Sequence, residues 1–85
     1  MRKEEKMNRE NSITTLDKLA PGDFAVILSV TADEGMKRRL CDLGFCRGET
    51  VSCEMVSPLG DPHAYLIRGA LIALRNSDAR GISVE

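Results

Sequence analysis

The stretch AYLIRGALIALR constrains the fold more than any other part of the chain, because two apolar runs meet in it at a glycine. A tight turn with Gly69-Ala70 as its two central residues puts the glycine where a type II′ turn needs a positive φ. This register sets Ile67 opposite Ile72 and Tyr65 opposite Leu74, with both pairs on one face. The turn chemistry and the apolar pattern agree, so the stretch predicts a β-hairpin.

Three more segments have the pattern of β-strands. Phe24 to Val30 is β-rich and apolar on both faces in its middle, which is typical of a strand covered on two sides. Thr50 to Val56 alternates instead between apolar and polar residues. The residues that share one face of it are Val51, Cys53 and Met55. Gly81 to Val84 is a last short strand, which brings the predicted number to five.

One helix is predicted between the first two strands, from about Glu34 to Leu43. Asp33 can cap its start, and Gly44 offers the left-handed conformation that ends many helices. Its apolar face carries residues at helical spacing, namely Met36, Leu40 and Leu43. Five short strands with one inserted helix predict a mainly β fold, an SH3-like small barrel.

The length and charge of the chain are those of one small domain. The chain has 85 residues and a net charge of −1, which leave no room for a second core and no general attraction for polyanions. The first twelve residues, MRKEEKMNRENS, are rich in charge and have no aromatic or β-branched side chain. We therefore expect residues 1–12 to form a flexible charged tail and residues 13–85 to form a single, mildly acidic barrel domain.

The cysteines indicate the compartment. Cys41, Cys46 and Cys53 are odd in number, have no C-x-x-C spacing and follow no signal peptide. A disulfide scaffold is therefore not expected, and a reducing cytoplasm fits better, while the roles of the three thiols stay open. No apolar run approaches the roughly 18–20 residues that cross a bilayer, so a membrane role has to come through a partner.

A basic cluster, Lys37-Arg38-Arg39, lies within the predicted helix. Binding of nucleic acid needs several phosphate contacts, and recognition of single strands favours stacking aromatic residues. Only three aromatic residues are present, and the core needs two of them. A solvated helix face or a protein contact is favoured, and a small nucleic-acid-binding barrel that also uses Arg47 remains an alternative.

The sequence has few residues suited to binding a metal ion or to catalysis. His63 is the single histidine and Asp61 lies two positions before it. Iron and zinc sites use three or four ligands, so these two residues are weak candidates, and no metal site or cofactor is predicted. A metal-responsive module that uses His63 and the cysteines remains a further alternative. His63 is expected at the surface, and with no catalytic triad order and no phosphate loop, an enzyme is not expected.

A proline-flanked loop, Pro58 to Pro62, presents Leu59 at its tip. Two prolines stiffen the loop, so Leu59 can serve as a docking element, or it can fold back over the mouth of the barrel. The candidate partner-binding residues are Lys37, Arg38, Arg39, Leu59 and Asp61.

Taken in order, three stretches resemble the FeoA family: LDKLAPGDFAVI, KRRLCDLGFCRGE and PLGDPHAYLIRGALIALRNSDARGISV. The similarity runs from about Leu16 to Val84. Its most specific pieces are Arg38-Arg39-Leu40 with Leu43-Gly44 and Gly48, the loop from Pro58 to Pro62, and Arg68-Gly69 with Ala73-Leu74-Arg75. The three cysteines and the charged tail depart from the family pattern.

The resemblance implies a function as well as a fold. FeoA proteins are similar in fold to SH3 barrels with an extra helix, and they are small cytoplasmic proteins of bacterial ferrous-iron uptake. The chain would then be a non-enzymatic accessory protein that docks on and modulates FeoB, a membrane transporter whose cytoplasmic end carries a GTP-binding domain. The resemblance implies neither an iron site nor a cofactor in this chain.

Overall fold

Alternating apolar residues, separated by glycine and proline turns, make most of this chain a set of short strands. The computed structural model describes residues 13–85, so the predicted flexible tail lies outside the described residues. The strands are β1 (Thr14–Thr15), β2 (Phe24–Val30), β3 (Thr50–Val56), β4 (His63–Ile67), β5 (Ala70–Leu74) and β6 (Ile82–Val84). The helices are α1 (Glu34–Asp42), the one-turn α2 (Asn76–Ala79) and a 3₁₀ turn (Leu16–Lys18).

The strands form one antiparallel sheet in the order β1-β6-β2-β3-β4-β5. The predicted mainly β class with one inserted helix is confirmed, with six strands among the described residues where the sequence predicts five. The additional strand, β1, has two residues and pairs with the last strand, so that Thr14 lies opposite Val84. A two-residue strand shows no periodicity, which is why the sequence pattern does not indicate it.

The core lies between the inner face of the sheet, α1 and the 3₁₀ turn. Phe45 and Tyr65 are its largest members, and their rings meet edge to face with centroids 6.4 Å apart. This geometry is the favourable one for two aromatic rings. The other fully or nearly fully buried side chains are those of Leu16, Ile27, Leu40, Val51, Cys53, Ile67, Ala79, Ile82 and Val84.

Helix α1 begins as predicted and ends one residue earlier. The Asp33 side chain accepts a hydrogen bond of 2.8 Å from the backbone N–H of Met36 and so caps the first turn. Leu40 is buried, but Leu43 is 41% exposed, so its predicted place on the inner face is wrong. The chain turns at Gly44, and Phe45, whose N–H bonds to the Leu40 carbonyl at 2.8 Å, fills the core position instead.

The β4–β5 hairpin forms, but with a different turn from the predicted one. Tyr65 lies opposite Ile72, and the central residues of the loop are Arg68 and Gly69, with φ values of 51° and 81°. Positive φ at both positions makes a type I′ turn, whose twist matches that of the strands it joins. The register differs from the predicted one by two residues. Because side chains alternate with a period of two, the same residues still face the core.

Strand β3 contains an irregularity that the alternating pattern hides. Val51 and Cys53 are buried, and the register then shifts between Cys53 and Met55. One extra residue in a strand reverses the faces that follow it. Met55 is therefore exposed, contrary to its predicted place beside Cys53, and Val56 packs against the core opposite His63.

Candidate functional site

The outer face of the sheet carries a row of side chains in register. Strand pairing places Phe24 opposite Ser52. Ser52 in turn lies opposite Leu66, which lies opposite Leu71. Directly opposed residues of antiparallel strands share a face. Phe24 is 74% exposed, Leu71 61% and Leu66 41%, so the row crosses four strands on the side away from the core.

A second row lies two positions further along β4 and β5. Met55 is exposed and lies opposite Ala64, which lies opposite Ala73. The small alanine side chains leave room for an open cavity of about 160 Å³, which Ser57, Pro62 and His63 also line. We define the apolar outer face by the six apolar residues of the two rows, which are Phe24, Met55, Ala64, Leu66, Leu71 and Ala73.

This face corrects the prediction that β2 is covered on two sides. Ala25 and Ile27 are buried, whereas Phe24 and Val26 are exposed. A strand with apolar residues on both faces is equally expected if one face is an uncovered binding surface. The apolar residues on both faces of β2 are present as the sequence indicates, but the prediction that both faces are covered is wrong.

The size of the apolar outer face is that of a small contact patch. Neighbouring strands are about 4.8 Å apart, so a row across four strands is roughly 14 Å long. Exposed leucine or phenylalanine residues are common singly, whereas apolar patches mark interaction sites. Ser52, whose hydroxyl donates to the Glu54 carboxylate at 2.8 Å, separates Phe24 from Leu66, so the row is uninterrupted only across β4 and β5. The arrangement is suited to binding a protein surface.

The loop from Ser57 to Pro62 holds Leu59 out in solvent. Leu59 is 94% exposed, so it does not cover the mouth of the barrel. The Gly60 N–H donates to the Ser57 carbonyl at 2.7 Å, and the Asp61 N–H donates to Ser57 Oγ at 3.1 Å. The loop is thus tied to itself, and its one large apolar side chain is free to contact a partner.

His63 is buried, contrary to its predicted surface position, with 8% of its surface exposed. Its Nε2 lies 3.0 Å from the Gly60 carbonyl, which can only accept, so Nε2 carries the proton and donates. Its Nδ1 lies 3.3 Å from the Tyr65 hydroxyl, whose single proton is shared between this nitrogen and the Leu16 carbonyl at 3.4 Å. Both ring nitrogens are occupied by protein groups. Within residues 13–85 there is no group of three or more His, Cys, Asp or Glu side chains placed to hold a metal ion.

The basic cluster lies on the exposed side of α1, with Lys37, Arg38 and Arg39 all in solvent. Lys37 and Arg47 line a separate cavity of about 310 Å³ between α1 and β2. This cavity shares no lining residue with the one at the apolar outer face. The predicted partner-binding residues therefore fall on two surfaces, one on α1 and one at the 57–62 loop, and their role stays a prediction.

Two cysteines are joined, which corrects the expectation that no disulfide forms. Cys41 and Cys46 are bonded, with their Cα atoms 4.7 Å apart. The turn at Gly44 reverses the chain after α1 and brings the two side chains together. Cys53 is buried, and desolvation raises the pKa of its thiol above the ordinary value of 9.0. The three cysteines are therefore one disulfide-bonded pair and one buried, unreactive thiol.

Comparison with known sequences identifies a family. The model of the FeoA domain family matches residues 14–85. A protein of Porphyromonas gingivalis, described as an Fe(2+) transport protein A/Fe(2+) transporter FeoB fusion protein, is 37% identical over 70 residues. The match covers 82% of this chain and 8% of the fusion protein, so this chain spans less than a tenth of that relative.

Solved structures show the same fold. The FeoA protein of Chlorobium tepidum is 39% identical, with a TM-score of 0.80 over 85% of this chain and 69% of that one. The FeoA of Stenotrophomonas maltophilia, solved in complex with zinc and described as an SH3-domain protein, is 34% identical, with a TM-score of 0.74 over 85% of this chain and 89% of that one. The predicted SH3-like barrel is confirmed. None of the helices in residues 13–85 has the length and apolar character needed to span a bilayer.

Proposed function

Because the chain belongs to the FeoA family, we propose that it is a non-enzymatic accessory protein of ferrous-iron uptake that docks on the cytoplasmic end of a FeoB transporter. The fusion relative supports this assignment, since it carries an FeoA part and an FeoB part in one chain. An FeoA domain that acts on a transporter by contact needs a surface for that contact. By the same proposal, it works in the cytoplasm and modulates FeoB by contact.

The observation that carries the proposal is the apolar outer face. Phe24, Leu66 and Leu71 lie in one row and expose large apolar side chains. Full burial of each such side chain is worth about 1.5–3 kcal/mol before the costs of association are subtracted. A few central aromatic and aliphatic residues commonly dominate the affinity of an interface.

The proposal is tested by the binding of the purified chain to FeoB from the same organism in lipid nanodiscs. We expect a double substitution, Phe24→Ser with Leu71→Ser, to weaken binding at least tenfold, which is about 1.4 kcal/mol. Leu43→Ser is the matched control, because Leu43 is an exposed apolar residue at the end of α1 and does not belong to the sheet. Thermal melting checks that each variant is folded. Unchanged affinity in a folded double variant would exclude this face as the contact.

The other proposed contacts are tested in the same assay. Leu59→Ser removes the exposed tip of the 57–62 loop without touching the sheet. Reversal of charge on α1, Lys37→Glu with Arg38→Glu, leaves buried groups untouched because both side chains are exposed. If α1 meets FeoB, this reversal slows association, and added salt should then relieve the repulsion instead of weakening an attraction. Equal binding by parent and reversed chain would make the basic cluster a solvated face.

A further inference from the structure

The Cys41–Cys46 disulfide lies at the surface, at the exit of α1. Cys41 is exposed and Cys46 is partly buried, so a small thiol can reach the bond. The third cysteine, Cys53, is fully buried. A buried, protonated thiol is a poor nucleophile and does not compete in exchange. The pair is thus accessible, and the remaining cysteine is protected.

The fold around the pair does not depend on the sulfur–sulfur bond. Leu40 and Phe45, on either side of the turn, are buried in the core and joined by a backbone hydrogen bond of 2.8 Å. The Gly48 N–H donates to the Ile27 carbonyl at 2.8 Å and anchors the chain again after the loop. The Cys46 N–H also donates to the Gly44 carbonyl at 2.8 Å, and the Cys46 carbonyl accepts from the Glu49 N–H at 3.1 Å. Opening of the disulfide therefore leaves the core and the path of the backbone in place.

We propose that Cys41 and Cys46 form a reversible thiol–disulfide exchange site whose co-reactants are low-molecular-weight thiols and disulfides. Disulfides in reducing compartments are typically transient and redox-sensing. The biological setting of this site rests on the proposed cytoplasmic function, whereas its chemistry belongs to the isolated chain.

The exchange proceeds in two balanced steps. In oxidation, the Cys41 thiolate attacks one sulfur of the small disulfide, which releases one small thiolate and leaves a mixed disulfide on Cys41. The Cys46 thiolate then attacks Cys41 Sγ and releases the second small thiolate. The two protein thiols lose two electrons, the small disulfide gains them, and the two protons pass to the released thiolates. Reduction is the reverse, and begins when a small thiolate attacks the exposed Cys41 sulfur.

The pair lies beside a charged surface. Both cysteines line the cavity of about 310 Å³ that also contains Lys37 and Arg47. Arg47 follows Cys46 directly and its side chain is exposed. Exchange at the pair therefore takes place at the basic surface of the domain.

The test equilibrates the full chain in glutathione buffers of varied ratio, followed by acid quenching, alkylation and mass spectrometry. We expect one two-electron transition that involves Cys41 and Cys46. Cys53 should carry no glutathione at any buffer ratio. The matched control Cys53→Ala should have the same midpoint. Cys46→Ser should accumulate glutathione on Cys41, because the resolving thiol is gone, and Cys41→Ser should accumulate less.

Amide hydrogen exchange separates a switch from a structural disulfide. We expect protection at Leu40 and Phe45 to be the same in both states, with changes confined to Cys46 and Arg47. Resistance of the bond to a large excess of reduced glutathione, failure of the dithiol to oxidise, or global loss of protection on reduction would each overturn the proposal. FeoB is not in this assay, so a failure of the docking proposal would not change the redox result. A failure of the redox proposal would likewise leave the FeoB binding result unchanged.

Discussion

Asp61 Oδ1 accepts a hydrogen bond of 2.9 Å from the backbone N–H of Asn76, the first residue of α2. The Asn76 side-chain amide donates in return to the Gly60 carbonyl at 2.7 Å. These two bonds join the 57–62 loop to α2 and hold Leu59 at the exposed tip. Asp61, a weak metal candidate and a predicted contact, thus has a structural role that the sequence did not indicate.

Removal of the hydrogen bond between Asp61 and the Asn76 N–H should loosen the 57–62 loop without unfolding the barrel. We expect Asp61→Ala to lower the free energy of unfolding by about 0.5–2 kcal/mol, the usual cost of losing a side-chain acceptor at a helix start. Asp61→Asn keeps an oxygen acceptor and should lose less. Urea denaturation measures both variants. If the alanine variant equals the parent, the bond has no stabilising role.

The turn at Arg68-Gly69 allows the hairpin geometry to be tested. Both residues have positive φ, so Gly69→Val should cost about 1–3 kcal/mol through backbone strain. Arg68→Asn should be at least as stable as the parent, because Asn-Gly is the preferred pair in a type I′ turn. Denaturant midpoints test the two substitutions side by side. A marked loss of stability in Arg68→Asn would contradict the type I′ assignment.

Leu40 and Leu43 make a matched pair on α1, since one is buried and the other is 41% exposed. Leu40→Ala should lower the free energy of unfolding by about 2–5 kcal/mol through loss of contacts and formation of a cavity. Leu43→Ala should cost about 1 kcal/mol or less. Thermal and urea unfolding provide the comparison. Similar losses in both variants would mean that both side chains pack in the core.

Two buried groups predict a loss of stability in alkali. Burial raises the pKa of Tyr65 above its ordinary value of 10.0, and that of Cys53 above 9.0. The unfolded chain releases these protons at lower pH than the folded chain, so this contribution is complete below about pH 9 and declines as the pH rises further. Urea midpoints should therefore fall above about pH 9, and more gently in Cys53→Ala. Constant midpoints across this range would refute the effect.

Local patterns in the sequence predicted the class of fold. Asp33 before an apolar helical repeat predicted the start of α1, and alternation predicted β3 and the hairpin strands. These features depend on residues close together in the chain, which is why the sequence pattern indicates them. The same property explains the family resemblance, because turn glycines, the proline loop and the Arg-Arg-Leu step are all short motifs.

The candidate docking surface was only half predictable. The sequence placed Leu59 at the tip of its loop but left open whether it is exposed or folds back, and Phe24, Leu66 and Leu71 were not identified. An apolar residue on the second face of a strand has the same sequence pattern whether it is covered or exposed. What covers a face is decided by elements far away in the chain.

The sequence by itself determined the five longer strands, the start of α1, the strand faces of the hairpin and the family resemblance. Tertiary structure alone decided the pairing of β1 with β6, the irregularity after Cys53, the burial of His63 and the approach of Cys41 to Cys46. The physical reason is that periodicity and turn preference act over a few residues, whereas burial and pairing depend on distant segments that come together only in the folded chain.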